Sequence, residues 1–122
     1  MKEIVQKYIN AYNNFDIESM MSYMHADCIF ESKHNGVLSF TTKGKHSFRQ
    51  ICSVAKNNYS FRKQIIEGFT SKGELLEVKF YFKGTLALDI PELGKKGENI
   101  AFETKSIFVF KNGLIYKLTN LD

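Results

Sequence analysis

The side chains around which chemistry can be built come in pairs. Tyr8 and Tyr12 are one helical turn apart, so two phenols share a face and can donate to a ligand carbonyl or hydroxyl. They read equally as core aromatics whose hydroxyls reach water. His25 and Asp27 have the residue types of an acid–base pair and fall where a short helix ends. There, His25 also suits the helix dipole, and Asp27 suits a turn cap. Thr104 and Ser106 lie on one parity of a Phe-rich strand, where they either bond locally or line a cavity. Asn120 shares the even parity of the last strand and adds an amide. His34 beside Asn35-Gly36 and His46 at a helix start read as exposed, and the three histidines lack the paired spacing of a metal site. Cys28 and Cys52, without CxxC spacing, read as buried free thiols of a reducing cytoplasm.

The elements that position these residues follow from periodicity. Ile4, Val5, Tyr8, Ile9 and Tyr12 predict a helix over residues 2–13. Asp16 reads as the N-cap of a second helix carrying Ile17, Met20, Met21 and Met24 and ending near His25. An extended segment starts at Cys28, Asn35-Gly36 turns it, and Val37 to Thr41 returns. Phe48, Ile51, Cys52 and Ala55 predict a third helix ending around Asn57-Asn58. From Ser60 the period becomes two. Phe61, Ile65 and Phe69 share one parity of the first long strand, although Ile66 breaks it. Leu76, Val78, Phe80 and Phe82 mark the inner face of the next, with Gly84 as a bend or bulge. Ile100 to Phe110 and Leu114 to Leu121 complete a meander. On the strand from Ile100, the even parity (Phe102, Thr104, Ser106, Phe108) faces the helices. The odd parity carries Glu103, Lys105, Ile107 and Val109 on an outer face suited to a homodimer contact.

Composition narrows the function classes. At 122 residues the chain fits one domain, 1–122, with a core that needs neither disulfide nor metal. Eleven Phe and six Tyr suit a packed core or an apolar cavity wall. The net charge of +4 is spread thinly and includes two Arg, which argues against a nucleic-acid surface. No apolar run approaches membrane-spanning length and no secretory segment opens the chain, so the expectation is a cytoplasmic protein with no membrane partner.

The opening YINAYNNFDIESMMSYMHADCIFE, the helix start GKHSFRQI, the stretch FKGTLALDIPELGKKG and the closing FVFKNGLIYKL follow one another in a familiar order and spacing. In that order the chain resembles the NTF2-like superfamily, in its SnoaL-like and ketosteroid-isomerase-like branch. The resemblance implies an α+β cone, also called cystatin-like: three N-terminal helices packed on a strongly curved antiparallel sheet, with a pocket between. It also implies where isomerase chemistry would sit. The family's oxyanion-hole tyrosine matches Tyr8, its carboxylate base falls at Ser32, and its protonated acid falls at Ser106. Serine replaces both carboxyls, and a hydroxyl of ordinary acidity is a poor base at neutral pH. A register one residue off would bring Glu31 to the base position. Related cyclases resemble one another in using a pocket Asp or His, which leaves His25 and Asp27 as the remaining catalytic candidates.

The expected function is binding of a small apolar molecule without a cofactor. Tyr8, Tyr12, Ser32, Thr104, Ser106 and Asn120 would supply polar contacts, and Phe80, Phe82, Phe102 and Phe108 the walls. The alternatives are an isomerase- or cyclase-like enzyme using His25, Asp27 or Glu31, and a non-catalytic interaction module using the outer face.

Overall fold

The computed structural model describes residues 1–121; Asp122 lies outside the described residues. Helix α1 (Lys2–Asn13) buries Val5, Tyr8, Ile9 and Ala11, the face that the i, i+3, i+4 spacing requires. Asp16 caps α2 (Ile17–Ser22): its carboxylate accepts the Ser19 backbone N–H at 3.1 Å and the Ser19 hydroxyl at 2.6 Å. These bonds to the charged form hold the Asp16 carboxyl below its usual range. Strand β1 (Met24–His34) begins before Cys28, and Asn35 and Gly36, both at positive φ, turn it into β2 (Val37–Lys43). Helix α3 (Lys45–Ala55) follows, then a single 3₁₀ turn. The meander comprises β3 (Tyr59–Lys72), β4 (Leu75–Leu86), β5 (Asn99–Lys111) and β6 (Leu114–Leu121).

The six strands form one curved open sheet in the order β2-β1-β6-β5-β4-β3. The third helix follows the first hairpin, as its place in the sequence predicts. One feature refines the expected antiparallel sheet: β1 runs parallel to β6 while the other pairs are antiparallel. Because about two-thirds of the chain separates β1 from β6, no tight turn dictates their relative direction. The core joins α1, α2 and α3 to Leu76, Val78, Phe80 and Phe108 of the sheet. Cys28 and Cys52 are free and buried within it.

The parity shared by Phe61, Ile65 and Phe69 is split between the two faces of β3. Phe61 and Ile65 point outward, at 50% and 37% exposure, while Arg62 is 2% exposed. A register shift between Ile66 and Gly68 inserts one residue, so Phe69 packs on the core while Phe61, of the same sequence parity, does not. The expectation of a bend or bulge at Gly84 is corrected: the glycine pairs regularly with Arg62 and Ile100, without a bulge. A Cβ there would meet the Phe82 ring at 2.9 Å and the Tyr59 ring at 3.0 Å, so the glycine makes room for two aromatics.

β3 is an edge strand, and α1 covers part of its edge. The Asn13 side chain donates to the Gln64 carbonyl at 3.1 Å and accepts the Gln64 N–H at 2.8 Å. One amide thereby occupies both backbone groups that a further strand would use. Asn13→Ala is expected to cost about 1–2 kcal/mol and to promote concentration-dependent association in light scattering. An unchanged urea midpoint with no association would reduce the amide to a passive neighbour.

Candidate functional site

The inner face of the sheet presents a polar row and an aromatic row. Register aligns Ser32 of β1 with Asn120 of β6, Ser106 of β5 and Val78 of β4. The Ser106 hydroxyl donates to Asn120 Oδ1 at 2.8 Å, and the Thr104 hydroxyl donates to the Leu121 carbonyl at 3.1 Å. Both hydroxyls therefore bond locally. Phe80 and Phe108 are fully packed in the core, and Tyr8 meets Phe108 edge-on with ring centres 6.2 Å apart. Towards the open end of the sheet, Tyr59, Phe82 and Phe102 form a ladder with successive ring centres 5.3 and 5.1 Å apart. Phe102 is 42% exposed, so it is the outer rung of this ladder and not an enclosed wall.

The three catalytic candidates are not brought to this face. The Asp27 backbone N–H donates to His25 Nδ1 at 3.0 Å, and the His25 ring packs edge-on against Tyr116, so the two side chains form no acid–base relay. Asp27 itself is exposed. Phe30 packs on Phe48 of α3 at 5.3 Å, which turns the adjacent Glu31 away from the helices. Glu31 instead accepts the Thr119 hydroxyl at 3.1 Å and pairs with Lys117 at 3.4 Å. The register is thus the one that puts serine, not glutamate, on the inner face.

Arg62 is the site residue that sequence reasoning missed. It is the one charged side chain among the described residues that is buried. Its Nε donates to the Tyr12 carbonyl at 3.0 Å, near the C-terminus of α1, where a cation also suits the helix dipole. Its guanidinium carbon lies 3.7 Å from the Tyr12 ring centre and 4.6 Å from that of Phe15. Phe15 reaches this place from a backbone at φ 56°, a conformation uncommon for a bulky residue. Arg62 Nη2 is buried and has no hydrogen-bond partner. Around it, burial raises the phenols of Tyr8 and Tyr59 and pushes Tyr12 and the Cys52 thiol up to about 12, while the Arg62 charge pulls each of them down. These groups therefore remain protonated donors at neutral pH.

The family model of the SnoaL-like domain matches residues 5–118. The chain belongs to the SnoaL-like family. Among solved structures, this SnoaL-like domain is similar to a candidate polyketide cyclase from Xanthomonas campestris, with a TM-score of 0.83 and 18% identity over 99% of this chain and 88% of that one. It is also similar to a candidate SnoaL-like polyketide cyclase from Jannaschia, with a TM-score of 0.81 and 12% identity over 97% and 81% of the two chains. An NTF2-like protein of unknown function from Exiguobacterium follows, with a TM-score of 0.76 and 15% identity over 96% and 95%. At these identities the likeness is one of fold. No curated protein matches the sequence. No helix among the described residues of the SnoaL-like domain is long and apolar enough to cross a membrane.

Proposed function

We propose that this SnoaL-like domain binds a small, largely apolar molecule between its helices and the inner face of its sheet, and holds it without an acid–base pair of its own. The observation that carries this reading is the aromatic ladder, in which exposed Phe102 and half-buried Tyr59 flank buried Phe82. An exposed ring packed on a buried one offers apolar surface of the kind small-molecule sites use. Tyr8, Tyr12 and the Ser106–Asn120 pair add the few polar groups that orient a ligand. Binding is favoured over turnover because none of the described carboxylates or imidazoles is buried with these groups.

The test is native mass spectrometry of freshly purified protein, followed by thermal shifts with a series of one- and two-ring aromatic molecules. A defined bound mass, or a raised Tm that Phe102→Asp abolishes, is the expected result. Phe102 is exposed, so this substitution leaves the core intact. A bare protein mass together with unmoved midpoints across the series would overturn the proposal.

A further inference from the structure

We infer that Arg62 is the anchor for an anionic ligand, and that the ligand is a small organic monocarboxylate with an apolar body. This rests on the small-molecule reading above and adds the charge of the ligand to it.

The argument starts from how the two arginines are satisfied. Arg49 lies on the surface and holds Glu18 with two bonds of 3.1 Å each. Arg62 is 2% exposed, yet among the described residues it has no carboxylate partner. The groups seen in contact with it are neutral: the Tyr12 carbonyl, the rings of Tyr12 and Phe15, and the Tyr12 phenol, which also bonds to the guanidinium. Removing a guanidinium from water is costly unless an opposite charge or a full set of acceptors replaces the solvent. Capping α1 accounts for Nε but leaves Nη2, its neighbour on the same edge of the guanidinium, without an acceptor. A buried, unfilled donor on a permanently charged group calls for an oxygen anion.

The surroundings choose among anions. There is no second buried cation among the described residues, so a phosphate dianion would keep one charge uncompensated. A carboxylate carries one charge and can accept in the plane of the guanidinium. Its second oxygen can take a proton donor from the phenols of Tyr8, Tyr12 or Tyr59, each close enough to Arg62 to feel its charge. The apolar body then lies against Phe82 and Phe102. Tyr12 and Phe15, whose rings cover the guanidinium, are themselves half-buried and so reach the surface.

Paired probes that differ only in charge test this: naphthoate against naphthamide, and phenylacetate against phenylacetamide, titrated calorimetrically. The wild-type chain is expected to prefer each acid over its amide by about tenfold or more. In Arg62→Gln that preference falls to about one, and Arg62→Lys retains part of it. Equal binding of acid and amide by the wild type, or a preference that survives in Arg62→Gln, would overturn the anchor while leaving the apolar site standing. Binding of neither probe would overturn both. Circular dichroism checks that the variants fold; if Arg62→Gln does not, the wild-type acid–amide comparison and Arg62→Lys decide.

Discussion

Phe80→Ala is expected to destabilise the domain by about 3–5 kcal/mol, whereas Phe61→Ala on the neighbouring strand is expected to cost less than about 1 kcal/mol. Phe80 is 0% exposed and lies mid-strand between Ile66 of β3 and Thr104 of β5. Deleting its ring removes transfer free energy and leaves a hole that the sheet, held on both sides, cannot close. Phe61 is 50% exposed, so truncation removes surface already in water. A loss of that size at Phe80 approaches the whole stability of a small domain, about 5–15 kcal/mol. Urea midpoints read both variants. Equal losses would place Phe61 inside and overturn the facing assigned to β3.

That contrast also marks where the sequence is legible. In β4, Leu76, Val78, Phe80 and Phe82 alternate without a break with polar or less buried neighbours, and their inward facing can be read directly. The first helix, the start of the second and the Asn35-Gly36 turn are legible for the same reason: each local preference agrees with the global packing. The second helix ends at Ser22, short of the His25 its spacing predicts, and Met24 instead opens β1 while staying buried. β3 is not, because Phe61, Ile65 and Phe69 share a parity that the shift after Ile66 splits between two faces. Nothing in the local pattern announces that inserted residue. Arg62 is hidden by a different habit of reading, since a charged residue beside Phe61 suggests solvent, and only the cover supplied by Tyr12 and Phe15 from a distant helix end makes it interior. The Ser106–Asn120 bond is legible as far as shared parity; the pairing of β5 with β6 supplies the 2.8 Å contact. The parallel β1–β6 pair has no local signature, because strand direction is set by the path of the whole chain.

The second large effect is alkaline unfolding driven by the tyrosines around Arg62. In an unfolded chain a tyrosine titrates near pH 10. In the fold, burial raises Tyr8 well above that value and Tyr12 to about 12, with Arg62 only partly offsetting the penalty. For an acid raised in this way, the folded state holds its proton where the unfolded state has lost it. Stability is therefore complete below about pH 10 and falls as pH climbs towards about 12. At about 1.4 kcal/mol per pH unit, Tyr12 alone accounts for about 2–3 kcal/mol, and Tyr8 adds to the same loss. The expected result is a cooperative step in which tyrosinate absorbance rises together with loss of circular dichroism. Tyr12→Phe should move that step to higher pH, because one of the groups that ionises only on unfolding has gone. Smooth titration of all six tyrosines with the dichroism unchanged would mean that the phenols reach solvent in the folded state.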